Sequence, residues 1–403
     1  MTEERQIRML YVSTLDRIIS VMFPHLDAAR ARGWQVDVAC RPTLYREDIL
    51  HHADALHEIP LARFPAHPVN AVGLARLTKL IRQGNYDIVH CHNPTGGFIG
   101  RWATTLANRQ SHRKALRVYT AHGFHFHRGG GRVSNLIYQT AESLAGRKWS
   151  DAVLVITRED FEAARSRRVV PEERLFLTHG VGVSAREQFD PALVPREDAL
   201  ALRRELDIPA DATLITSVAE LIPRKRHEDA LAAFAVCHQS FPNTVLLIVG
   251  DGPLEDKLKR QAQAAGIENA VRIPGFRRDI GRILAASDIF LLASGQEGLP
   301  CVVQEALSMG VPVVASNVRG NADLVDDSCG WLATAGDFHA LADQLHHALS
   351  LSALERQKRG KAGREKMLRF YDRAFCVAEW QEIYDKLLHK QEKEGETFRH
   401  FEG

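Results

Sequence analysis

Short apolar runs alternate with stretches of helical periodicity along nearly the whole chain, and few folds accept that pattern. Residues 8–13, 36–40, 88–91, 118–120 and 153–157 read as the strands of one sheet. Residues 213–218, 245–249, 271–273, 289–293 and 313–315 read as those of a second. Between them, stretches such as 74–82, 229–238, 252–265 and 338–349 space their apolar residues as helices do. Such alternation predicts parallel, doubly wound α/β sheets. A chain of 403 residues is too long for one ordinary core, so two domains of about 190 residues each are expected. The break is placed in 182–200, where Pro191 and Pro195 interrupt both periods and charge is dense, giving domains 1–190 and 191–372. Trp149-Ser-Asp-Ala-Val-Leu-Val and Ala286-Ser-Asp-Ile-Phe-Leu-Leu enter their strands through the same Ser-Asp step, an echo that fits duplication of one unit.

No run of about 18 uncharged apolar residues occurs, so no membrane-spanning helix is expected. The polar start Met-Thr-Glu-Glu-Arg-Gln leads straight into a strand, which argues against a secretory signal. Cys40, Cys91, Cys237, Cys301, Cys329 and Cys376 show no Cys-x-x-Cys spacing and sit mostly among apolar residues. They point to reduced core thiols and a cytoplasmic protein. The net charge of +2 hides an asymmetry: residues 1–190 hold 26 Lys and Arg against 19 Asp and Glu, residues 191–403 hold 26 against 31. The basic half, densest in 109–117 and 165–168, suits anionic phosphate headgroups and a peripheral place at the inner face of the cell membrane. Nucleic acid is disfavoured, because no recognition motif or aromatic-interleaved basic surface accompanies the charge.

Ala293-Ser-Gly-Gln-Glu-Gly-Leu-Pro-Cys-Val-Val-Gln-Glu-Ala-Leu-Ser-Met-Gly-Val-Pro-Val-Val-Ala-Ser316 carries most of the chemistry. An apolar strand runs into a turn, Pro300 opens a helix where its missing N–H costs nothing, and Gly310 with Pro312 ends it before the next strand. Strand, turn and helix aim free backbone N–H groups, at Gly298, Leu299 and Cys301 around Pro300, out of the sheet's carboxyl edge as an anion site. Glu297 and Glu305 flank it; carboxylates repel phosphate but accept hydrogen bonds from vicinal hydroxyls. An anion pocket bordered by two diol acceptors describes a nucleotide sugar. Ala219-Glu-Leu-Ile-Pro-Arg-Lys-Arg follows the first strand of the same half, and Arg224, Lys225 and Arg226 supply cations for a diphosphate. Gly250 and Gly252 close the next strand, as a close approach to a ligand or a tight turn requires.

The Glu297-x7-Glu305 segment resembles the retaining, metal-independent glycosyltransferases of the GT-B fold, family 4. Ala121-His-Gly-Phe-His-Phe126 and Arg319-Gly-Asn-Ala-Asp323 resemble the branch that builds capsular and exopolysaccharide repeat units. The resemblance covers nearly the whole chain. It implies two Rossmann-like domains facing across a cleft, with acceptor in the first and nucleotide sugar in the second. A helix at 373–390 is then expected to cross back to the first domain, ahead of a frayed charged tail at 391–403. Lys225 matches the family's phosphate-binding lysine. Glu220 stands where many members have an arginine, and Arg224 is the candidate substitute. Phe276 and Arg277 match the segment bordering the base. Glu305 is expected to hold the ribose hydroxyls and Glu297 the transferred sugar, stabilising charge in an ion-pair transition state rather than attacking it. His122 matches the family's catalytic-side histidine.

His92, Asp16 and Arg17 are candidates on the acceptor side, by position alone; the 13–20 turn lacks the double glycine of many relatives. Asn321 is expected to cap a helix. Imidazoles at His90, His92, His125 and His127 raise a metal site, but the acidic partners of a catalytic cation are missing. No metal and no cofactor are expected. The reading is a retaining transfer of a hexosyl or N-acetylhexosaminyl group from a nucleotide sugar, most simply a UDP-sugar, to a polyprenyl-diphosphate-linked acceptor. A nucleotide-sugar epimerase of the same architecture is the alternative, followed by a non-enzymatic sugar-binding protein. A nicotinamide dehydrogenase is disfavoured because no Gly-x-Gly-x-x-Gly follows the first strand.

Overall fold

The computed structural model describes residues 5–111, 113–126 and 131–401, with side chains to residue 394. The chain forms two compact units, Met1–Val181 with Cys376–Gly403, and Gly182–Phe375. In the first, β1 (Arg8–Leu15), β2 (Gln35–Arg41), β3 (Ala55–Glu58), β4 (Ile88–His92), β5 (Leu116–Ala121), β6 (Ala152–Val155) and β7 (Leu175–Leu177) form a seven-stranded parallel sheet in the order β3-β2-β1-β4-β5-β6-β7. Successive residues of β1 point to opposite faces. Leu10 and Val12 join a core under the helices Val69–Gly84 and Pro94–Asn108. Met9 and Tyr11 join another, closed by Trp380 and Tyr384 of the helix Arg373–Phe401. Burial on both faces is what a parallel sheet demands of its strands.

The second unit repeats the plan. Its strands β8 (Thr213–Val218), β9 (Thr244–Val249), β10 (Val271–Gly275), β11 (Ile289–Leu292), β12 (Val313–Ser316) and β13 (Gly330–Ala333) pair in parallel in the order β10-β9-β8-β11-β12-β13. Strand order therefore reverses between β1 and β4 in one unit and between β8 and β11 in the other. In such sheets ligands collect outside the carboxyl ends at the reversal.

The Ser-Asp echo has a physical cause. An aspartate just before a strand accepts an N–H from the opening residues of the strand beside it: Asp151 takes Arg117 N and Asp288 takes Leu214 N, each at 2.8 Å. Asp87 does the same for Arg8 and Asp54 for Val36. These donors at the amino edge of the sheet have no ladder partner of their own.

Several boundaries differ from the sequence reading. The second unit begins at Gly182, not at 191, because Val183 N–H donates to Tyr371 O at 2.9 Å and Val183, Ala185 and Phe189 lie in that unit's core. The strand expected to reach residue 157 stops at Val155, and Thr157 instead caps the helix Arg158–Ser166 through Asp160 N–H. The peripheral strands β3, β7 and β13 are only three or four residues long, too short to announce a strand period. The last helix runs to Phe401, through the segment expected to fray. All six cysteines are free, and only Cys301 among them is exposed. Among the described residues no helix is long and apolar enough to cross a membrane.

Candidate active site

Two loops meet at the strand-order reversal of the second unit. After β8 the chain makes a single 3-10 turn, Pro223–Lys225, and leaves it through Arg226 in the left-handed region at φ 51°. After β11 it makes the turn that carries Glu297. The loops are tied by Gly295 N–H donating to Arg224 O at 2.9 Å. Lys225 Nζ lies 2.5 Å from Glu297 Oε1, and Glu297 is only 6% exposed. Arg224 donates to Gln296 O at 3.1 Å and stands 4.0 Å from Glu297 Oε2. Two of the three expected cations thus converge on the acid. Arg226 does not: it bonds Asp229 and the carbonyl of Gly336.

The helix that follows spans Cys301–Ser308, one residue later than expected, with Pro300 in the capping position and no side chain capping its first turn. Its leading N–H groups remain available to an anion. Glu305, half-buried on the second turn, accepts no hydrogen bond at its carboxylate from any described residue, and burial pushes its pKa up to about 7. A diol that donates to this carboxylate favours the ionised form, so binding must release a proton. We expect affinity for UDP to fall about tenfold from pH 8 to pH 6 at this group, beyond the titration of the nucleotide's own phosphate, which a Glu305→Gln variant retains. Calorimetry of both proteins across that range measures the difference. The sign for stability is the reverse. A raised pKa favours the folded state most below the ordinary value of 4.5, and that contribution is lost as pH rises through about 7. Glu305→Gln should therefore melt higher than the parent at pH 8 while binding UDP more weakly.

The other expected donor-side residues lie on the loops that follow β9 and β10. A Cβ on Gly250 would lie 2.0 Å from Ala219 O, and one on Gly252 2.6 Å from Leu221 O. Their glycines serve the packing of this loop against the 219–221 backbone. Phe276 is 64% exposed just past β10. Arg277 beside it is held by Asp279 at 2.6 and 2.8 Å and by Glu205 at 2.6 Å. Glu220, in the place of the missing arginine, is exposed, and its carbonyl bonds His227 Nε2 at 3.2 Å. Asn321 is not a cap: it lies inside the helix Arg319–Leu324, where its Nδ2 donates to Ser316 O. Sequence reasoning missed the support under Glu297. Arg319 Nε donates to the Glu297 carbonyl at 3.2 Å, and Gly320 packs its bare Cα against the carbonyl of Gly298. The Arg-Gly pair opening a helix beside the acidic turn was the available signal.

In the first unit, His92 ends β4 and His122 follows β5, with His92 Nδ1 3.1 Å from His122 Nε2. Burial pushes His122 down to about 4 and His92 well below the usual range, so both rings are neutral. His92 Nε2 is buried without a partner among the described residues. A bare lone pair there costs less than an orphaned N–H, which puts the His92 proton on Nδ1, donating to His122 Nε2. His122 then carries its own proton on Nδ1 and presents a donor. His90 bonds Tyr384 at 2.7 Å and Thr120 at 2.8 Å, and His125 is exposed beside Tyr138. His127 lies outside the described residues. Among those described, no three His, Cys, Asp or Glu side chains converge as metal ligands would.

Asp16 is committed elsewhere. It accepts Thr43 Oγ1 at 2.5 Å, Leu44 N at 2.7 Å, Tyr45 N at 2.9 Å and Thr43 N. Burial opposes its ionisation, but these bonds outweigh it and hold the carboxyl below its ordinary value. It builds the 43–45 turn rather than a substrate contact. Arg17 beside it is exposed. Asn93, at φ 55°, joins the reversal point of this sheet: its amide donates to Ser13 Oγ and Thr14 Oγ1, each at 2.9 Å.

Residues 198–366 match the family described as "Glycosyl transferases group 1", and residues 26–180 the "Glycosyl transferase 4-like domain". EpsD of Bacillus subtilis (strain 168) is 31% identical over 96% of this chain and 98% of its own. The UDP-Gal:alpha-D-GlcNAc-diphosphoundecaprenol alpha-1,3-galactosyltransferase of Escherichia coli is 32% identical over 68% of each chain. Among solved structures, Anabaena Alr3699/HepE in complex with UDP superposes with a TM-score of 0.79 at 20% identity, over 95% of this chain and all of that one.

Proposed function

The chain belongs to the glycosyl transferases of group 1 and of the 4-like type, with the GT-B fold, and on that premise we propose a retaining transfer from a UDP-sugar to a polyprenyl-diphosphate-linked sugar during exopolysaccharide assembly. One observation carries the donor assignment: Lys225 and Glu297 meet at the strand-order reversal, beside an uncapped helix start and a carboxylate with no hydrogen-bonding partner among the described residues. A diphosphate reaching the helix start draws Lys225 toward its oxygens. Glu297, released from the lysine, turns its lone pairs to the sugar hydroxyls while Glu305 takes the ribose diol. The bond from the anomeric carbon to phosphate breaks, the acceptor hydroxyl adds from the same face, and its proton passes to the departing phosphate.

The acceptor class is supported by the Escherichia coli relative, whose name gives a diphosphoundecaprenol substrate, and by the basic first half of the chain. The neutralisation required at the leaving phosphate is available from Lys225 and backbone dipoles, so catalysis is expected without a divalent ion. Transfer from a UDP-sugar panel to a polyprenyl-diphosphate-linked sugar, run in excess chelator, should proceed at the untreated rate. Loss of activity restored only by a divalent cation would overturn the metal-free mechanism. Conversion of UDP-sugars to epimers with no acceptor present would overturn transfer itself.

A further inference from the structure

We propose that an apolar groove on the first unit holds the isoprenoid chain of the acceptor. The inference rests on the reading that the acceptor is lipid-linked. The groove has a volume of about 420 Å³ and lies between residues 65–74, the helix Pro94–Asn108 and the helix Arg132–Trp149. Pro68, Phe98, Trp102 and Tyr138 give it rings and Leu74 an aliphatic side chain, and the wall is stiffened where Trp102 stacks on Trp149 at 5.6 Å.

The buried Asn70 and Glu142 side chains that line it are already engaged. Asn70 accepts Ala62 N–H and donates to Phe64 O and Pro65 O. Each carboxylate oxygen of Glu142 takes a bond, one from Arg101 at 2.9 Å and one from Tyr119 at 3.0 Å. A sugar or nucleotide would find few partners here; a hydrocarbon needs none.

The groove also starts in the right place. Residues 65–68 and 94–95 follow the carboxyl ends of β3 and β4, the sheet edge that bears His92 and His122. A chain lying in the groove leaves its diphosphate and sugar at that edge. Along the Arg132–Trp149 helix, Val133, Leu136 and Ile137 are 73%, 65% and 62% exposed and share one stripe with Leu144. Beyond them Arg147, Lys148 and Arg167 line a second cleft. An apolar stripe ending in cations is how a helix lies in an anionic lipid surface, from which a polyprenyl chain must be drawn.

The test titrates the full chain with geranylgeranyl diphosphate below its micelle concentration, alongside inorganic diphosphate, dodecyl phosphate and UDP. Geranylgeranyl diphosphate should bind, and both other phosphates at least about tenfold more weakly. Ala71→Trp and Ala66→Trp, which fill the groove from exposed positions, should each weaken it about tenfold and leave UDP within twofold. Absence of isoprenoid binding with UDP retained overturns the groove alone, as does equal affinity for dodecyl phosphate or indifference to both tryptophans. Loss of UDP binding in the parent protein overturns the glycosyl-transfer reading instead.

Discussion

Lys225→Ala is expected to lower turnover by about a thousandfold and to destabilise the second unit as well. Both effects follow from the 2.5 Å contact between Lys225 and Glu297, whose side chains are 12% and 7% exposed. Removing the ammonium would take away the charge proposed to neutralise the leaving diphosphate. It also leaves a buried carboxylate without its partner, which costs about 3–5 kcal/mol when the charge has no other compensation. The nearest alternative, Arg224, stands 4.0 Å from Oε2 and is half-exposed, so it recovers part of this. The two consequences separate in a double variant. Glu297→Gln added to Lys225→Ala removes the stranded charge and should restore most of the melting temperature without restoring transfer. Lys225→Arg keeps the charge and should keep stability, with turnover reduced by the bulkier head. Steady-state kinetics beside thermal melting reads all three. A Lys225→Ala enzyme with turnover within tenfold of the parent would remove the lysine from the mechanism.

The pairing behind that expectation was only half legible in the sequence. Glu297 and Lys225 stand out because each lies just past an apolar run, and the alternation of strands and helices fixes which sheet edge such loops occupy. That they touch each other before any substrate arrives depends on the lateral order of β8 and β11, which pattern alone does not give. Asp16 shows the opposite failure. An acid in a first turn reads as a substrate contact until Thr43, Leu44 and Tyr45, distant in sequence, are found to bond both its oxygens. Glu305 was legible as a residue but not as a chemical state, since its raised pKa comes from burial by neighbours that no local motif announces. Core strands were read because burial on both faces leaves continuous apolar runs. The short peripheral strands were not, because three or four residues are too few to show a period and β13 opens on a glycine.

The other large effect belongs to a residue that touches no expected substrate atom. Gly320 sits on the helix Arg319–Leu324, and a Cβ there would lie 1.5 Å from Gly298 O, 2.5 Å from Gly298 C and 2.8 Å from Leu299 Cα. All three are backbone atoms, so no side chain can swing aside. Either the helix or the turn carrying Glu297 must move, and Arg319 holds them together through the Glu297 carbonyl. Gly320→Ala is therefore expected to cost more than about 3 kcal/mol, or roughly 6–12 °C in melting temperature. UDP affinity should fall with it, because the displaced turn leads into the N–H groups of the Cys301–Ser308 helix. Gly266→Ala is the control: its φ of +68° disfavours a side chain, yet nothing lies within 4 Å of the added carbon. It should cost about 1 kcal/mol from conformation alone and leave UDP binding intact. If both variants melt together and bind UDP alike, contact between the two helix-opening loops does not shape the donor site.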